Sequence, residues 1–128
     1  MREILGLGDE ARLQRRWFHD EYFDLFVWQD AGGAMARFEL CYGAGASERA
    51  LVWLGGERLF HDGAPGATPD LQALLQRFER AGGGLPADLR REVLARIRQY
   101  AARPVARRSG YRRAAWQQRG AHAPPRSG

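Results

Sequence analysis

Between Tyr22 and Trp28 every position is aromatic, β-branched or otherwise apolar except Asp24. The odd positions Phe23, Leu25 and Val27 are uniformly apolar, while Tyr22, Asp24, Phe26 and Trp28 set three aromatic rings around one carboxylate. Side chains in a strand alternate between faces, so this run predicts a central strand with one dry face and one mixed face. The same period marks Ala34 to Tyr42. Ala34, Ala36, Phe38, Leu40 and Tyr42 share one side, and Met35, Arg37, Glu39 and Cys41 the other. Shorter strands are predicted at Ile4 to Leu7, Leu13 to Phe18, Arg49 to Leu54 and Arg58 to His61. Asp30-Ala31-Gly32-Gly33 and Gly55-Gly56 supply the residues that tight reversals need. Connections this short join antiparallel neighbours, which gives a meander of five or six strands.

After Asp62 the composition turns to glycine and proline, and the period lengthens to about 3.6, that of an α-helix. Thr68-Pro69-Asp70 reads as a helix start, with Thr68 as the cap and Pro69 at the first helical position. Leu71, Leu74, Leu75 and Phe78 form its apolar stripe, and Gly82-Gly83-Gly84 ends it. Pro86-Ala87-Asp88 opens a second helix, with Leu89, Val93, Ile97 and Tyr100 on one face. Two such stripes after an antiparallel sheet predict an α+β domain over residues 1–102, with the sheet in 3–62 and two C-terminal helices in 69–102 packed on one of its faces. The expected core is Phe23, Leu25, Val27, Phe38, Leu40, Val52, Leu71, Leu75, Phe78, Val93 and Ile97.

Charge divides the chain unevenly. All twenty basic residues are arginine, and the last acidic residue is Glu92. Residues 1–92 hold 11 basic and 15 acidic groups, whereas 93–128 hold nine arginines and no carboxylate. From Arg103 onward the apolar content is too low to offset the entropy of ordering, so the expectation for 103–128 is a disordered basic tail. Within it Arg107, Arg108, Arg112, Arg113 and Arg119 are interleaved with Tyr111 and Trp116. That pattern suits phosphate contacts with base stacking, hence a nucleic-acid partner. A bias of composition toward arginine explains the choice of base equally well, though not why the acids stop.

No stretch approaches the roughly 18 apolar residues of a membrane span, and the first residues lack the apolar run of a signal peptide. With Cys41 as the single cysteine, no internal disulfide can form, and a cytoplasmic protein that does not engage the membrane is expected.

The pattern Arg15-Arg16-Trp17-Phe18, Tyr22-Phe23-Asp24-Leu25-Phe26-Val27-Trp28, Phe38-Glu39-Leu40-Cys41-Tyr42 and Glu48-Arg49-Ala50-Leu51-x-Trp53 resembles a small family of uncharacterised bacterial proteins. The resemblance covers roughly residues 11–62. It implies a shared sheet and no particular chemistry.

Three features could carry chemistry. The dipeptides His19-Asp20 and His61-Asp62 are expected at strand ends as solvated turn residues; metal-dependent phosphohydrolases would need further histidines, so neither metal nor cofactor is expected. Cys41 lacks a nucleophile's sequence context and reads as a small buried hydrophobe. The mixed face of the sheet is the stronger signal. If Phe23, Leu25 and Val27 face the helices, then Tyr22, Asp24, Phe26 and Trp28 face away, joined by Arg37 and Glu39 and, from the next strand, Arg49 and Trp53. Such a face is either an interface or a second small core covered by the N-terminal strand. The leading expectation is a non-catalytic binding module that self-associates, as a homodimer, through that face. The alternative is polyanion binding through the tail, and the third is a small enzyme using Asp24, Glu39 and a histidine.

Overall fold

The structure, a computed structural model, describes residues 1–43, 48–62 and 70–103. Six strands form one antiparallel sheet in chain order: β1 (Arg2–Ile4), β2 (Gln14–His19), β3 (Phe23–Gln29), β4 (Met35–Tyr42), β5 (Arg49–Trp53) and β6 (Leu59–Asp62). Helices α1 (Leu71–Ala81) and α2 (Ala87–Ala102) follow, joined through a single 3₁₀ turn at Gly82–Gly84. The fold is α+β, with both helices on one face of the meander.

Local chemistry explains the boundaries. In the β2–β3 turn, the Asp20 carboxylate accepts from the backbone N–H of Tyr22 and Phe23 at 2.8 and 2.6 Å, an Asx-type turn. Between β5 and β6, Gly55 (φ +98°) and Gly56 (φ +56°) occupy left-handed conformations that side chains avoid. Asp70 caps α1, its carboxylate accepting from Ala73 N–H at 3.0 Å. The cap is therefore Asp70 rather than Thr68, which with Pro69 lies outside the described residues. Gly84 permits a close approach, since a Cβ there would sit 2.0 Å from the Met1 carbonyl oxygen.

The helix-facing core joins Phe18, Phe23, Leu25, Val27, Phe38, Leu40, Leu51 and Trp53 of the sheet to Leu74, Phe78, Leu89, Val93 and Ile97 of the helices. Leu71 and Leu75 are partly buried against it. Val52, expected in the same core, belongs to the opposite face with Trp17, Phe26, Trp28, Cys41, Ala50 and Phe60. Both faces of the sheet are thus packed. At the edge of the helix-facing core, Tyr42 Oη and His61 Nε2 lie 2.6 Å apart, and burial pushes the Tyr42 phenol above its ordinary value.

Candidate functional site on the second face of the sheet

Strand register lays the second face out in rows. One row crosses all six strands as Arg2, His19, Asp24, Cys41, Ala50 and Asp62. The next is Ile4, Trp17, Phe26, Glu39, Val52 and Phe60, and a third, shorter row holds Arg15, Trp28 and Arg37. A row rich in polar side chains therefore runs beside a row of three rings, two aliphatic side chains and one carboxylate. Asp24 and Glu39 sit diagonally on adjacent strands, a spacing of about 7–8 Å between such positions.

Almost none of this reaches solvent. Asp24 and Glu39 are fully buried, Asp62 is 4 % exposed and His19 7 %. Asp24 Oδ1 accepts from Trp17 Nε1 at 2.8 Å and lies 2.7 Å from His19 Nδ1. A carboxylate accepts, so the imidazole donates through Nδ1 and presents Nε2 as its other polar atom. His19 also lines an open cavity of about 510 Å³ with Met1, Arg2, Asp20 and Glu21. Glu39 is bonded to Arg37 Nη2 at 3.1 Å, and the Arg37 guanidinium lies 4.0 Å over the Trp28 ring. Trp17 and Phe26 stack with centroids 5.0 Å apart. The Trp28 indole N–H is buried without an acceptor. Among the described residues, no cluster of three or more His, Cys, Asp and Glu side chains could hold a metal ion.

Of the eight residues expected on this face, five are brought together: Asp24, Phe26, Trp28, Arg37 and Glu39. Three are elsewhere. Trp53 packs in the helix-facing core, where the Arg96 guanidinium lies 4.2 Å over its ring. Arg49 pairs with Tyr42 and shares Trp53's parity. Tyr22 precedes β3, so alternation does not govern it; its ring packs against the helix-facing core under the Arg77 guanidinium at 3.6 Å. The phase of β5 was not legible because Ala50 and Val52 are as apolar as Leu51 and Trp53.

Trp17, His19 and Asp62 are members of the array that alternation did not assemble, whereas Cys41 lies on the side of β4 that alternation gave it, with Arg37 and Glu39. His19 and His61 with Asp62 are buried strand residues rather than solvated turn residues, and the two histidines point to opposite faces. Carrying the parity of β3 back across its turn identifies His19 and Trp17, since His19 pairs with Asp24. Phe26 and Trp28, 2 % and 1 % exposed within a single chain, do not form an open aromatic surface. The residues assigned to polyanion binding, Arg107, Arg108, Tyr111, Arg112, Arg113, Trp116 and Arg119, lie outside the described residues.

No protein-family model, curated protein or solved structure matches the chain. Among the described residues, no helix is long and apolar enough to cross a membrane.

Proposed function

We propose that the protein is a non-catalytic interaction module whose recognition surface is the second face of the sheet, and that its partner is a cationic peptide segment. The observation that carries this reading is the placement of Asp24, Glu39 and Asp62, all buried, on one face among four large rings. Burying a carboxylate is expensive, and apolar side chains of similar volume usually serve a core as well or better. The three carboxylates share the face with Arg2, Arg15 and Arg37, and a face of this polarity suits recognition of a polar partner better than packing alone. A guanidinium matches it: the group binds carboxylates in a planar fork and stacks on aromatic rings. The buried Trp28 N–H, which lacks an acceptor, suits a peptide carbonyl.

The test is fluorescence anisotropy of the full chain with a labelled arginine-rich peptide, and with a glutamate-rich peptide of equal length as control. Saturable binding of the arginine peptide alone is expected. Glu39→Gln and Asp24→Asn, checked for retained fold by circular dichroism, should each weaken it at least about tenfold, since a hydrogen bond to a charged group contributes about 1.5–3 kcal/mol. Absence of binding, or equal binding by the variants, would contradict the proposal.

A second reading rests on the charge distribution: with nine arginines and no acid after Glu92, the C-terminal segment suits phosphate. Binding to labelled oligonucleotides that weakens steeply with salt would support it, and absence of binding at about 50 mM salt would remove it.

A further inference from the structure

An open cavity lies at one corner of the second sheet face. There Arg2 of β1 stands opposite His19 of β2, and Asp20 and Glu21 follow His19 into the turn. With Met1, these residues line a volume of about 510 Å³. His19 is 7 % exposed, and its Nδ1 lies 2.7 Å from Asp24 Oδ1. The same carboxylate oxygen accepts from the Trp17 indole at 2.8 Å, so the imidazole is fixed from behind. Because Nδ1 donates to a carboxylate, the neutral ring keeps an acceptor at Nε2. Among the described residues, Nε2 has no hydrogen-bond partner. The buried polar atoms without a partner do not include it, so Nε2 meets the cavity that the ring lines.

We propose that this cavity binds a single guanidinium group, one arginine side chain of a cationic peptide, with His19 Nε2 accepting an N–H and the Asp20 and Glu21 carboxylates supplying the charge. The site rests on the reading above and deepens it, giving the cationic partner an entrance at which no buried carboxylate has to exchange its partners. Asp20 commits one oxygen to its turn: Oδ1 accepts from the Tyr22 and Phe23 N–H groups, which leaves Oδ2. Glu21 is exposed and makes no ion pair among the described residues. A guanidinium carries five donors in a planar fork, so it can serve a ring nitrogen and a carboxylate together. An anion would meet two carboxylates and find no donor at the neutral Nε2. Two positive groups lie close by. The Met1 ammonium is engaged by the Ala81 carbonyl at 3.0 Å, whereas Arg2 is exposed. Arg2 therefore opposes a bound cation.

The probe is N-acetyl-arginine amide, titrated into the full-length chain with its histidine side chains labelled with nitrogen-15. Of His19, His61 and His122, only His19 should respond, its Nε2 resonance moving to saturation. N-acetyl-citrulline amide, nearly the same shape but uncharged, should move it far less. Asp20→Asn keeps the turn, because an amide oxygen also accepts there. Combined with Glu21→Gln, it should weaken binding at least about fivefold, whereas Arg2→Gln should strengthen it about twofold, the scale of exposed charge pairs. Circular dichroism confirms that each variant folds. An unmoved Nε2, an equal response to citrulline, or an affinity unchanged in the double variant would overturn the proposal. Weaker binding by Arg2→Gln would overturn it too, since the cavity would then be recognising an acceptor. The labelled arginine-rich peptide separates this site from the broader reading. If Glu39→Gln weakens peptide binding while the double variant does not, and the His19 ring is unmoved, the cavity fails and recognition stands. If the arginine amide moves the His19 ring but no peptide binds, the cavity stands and peptide recognition fails.

Discussion

Asp24 shows how one side chain can hold a site together. Its carboxylate is reached from the preceding strand by both the Trp17 indole and the His19 imidazole, so three polar groups are fixed with little exposure to water. Glu39 is held differently, by Arg37 on its own strand, whose guanidinium is itself pinned on Trp28. On the opposite face, Tyr42 offers a pH-dependent test of the packing. Its phenol is raised above the ordinary value of 10.0, chiefly by burial. Above that value the unfolded chain releases a proton that the folded chain keeps, so the stabilising effect is complete below it and is lost as pH rises. Tyr42→Phe should flatten the alkaline arm of the stability curve, measured by urea unfolding between neutral and strongly alkaline pH. At neutral pH it should cost about 0.5–1.5 kcal/mol for the hydrogen bond shared with His61. An unchanged alkaline arm would show that this phenol is not shielded as described.

At the scale of elements, what was legible depended on whether alternation had contrast. In β3 and β4 the apolar and mixed parities differ, so Asp24, Phe26, Trp28, Arg37 and Glu39 were placed together from sequence and lie together in the structure. In β5 both parities are apolar, and nothing short of the Glu39–Val52 register assigns Arg49 and Trp53 to the helix side. Tyr22 was misplaced for another reason, because the strand starts one residue later. The β1–β2 connection holds a feature that no periodicity predicts. Ala11 and Arg12 both adopt positive φ (49° and 67°) between Glu10 and Leu13, which exchange backbone hydrogen bonds of 2.9 and 2.8 Å. Such a tight turn normally carries Asn-Gly, and side-chain-bearing residues there are strained. Ala11→Asn with Arg12→Gly should raise stability by up to about 1 kcal/mol in urea unfolding. A loss of stability would mean that the turn's present residues make contacts that outweigh the strain.

For the whole molecule, the sheet separates two kinds of packing. The helix side is a core of leucine, valine, isoleucine and phenylalanine with Trp53 and Tyr100, and Tyr42 and His61 lie at its margin. The other side mixes rings with three carboxylates, three arginines and a histidine. The α+β architecture was readable from the switch in period after Asp62, because a strand and a helix bury different spacings of apolar residues. The closed state of the second face was not readable, because burial depends on what lies above a sheet rather than on the strands within it. The central claim is that this face is where a cationic segment is recognised. Backbone amide shift mapping of the isotopically labelled full-length chain, titrated with an arginine-rich peptide, tests it most directly. The account predicts shifts concentrated in β2, β3 and β4 around Trp17, Asp24, Phe26, Glu39 and Cys41, with α1 and α2 unmoved. Shifts confined to the helices, or none at saturating peptide, would contradict it.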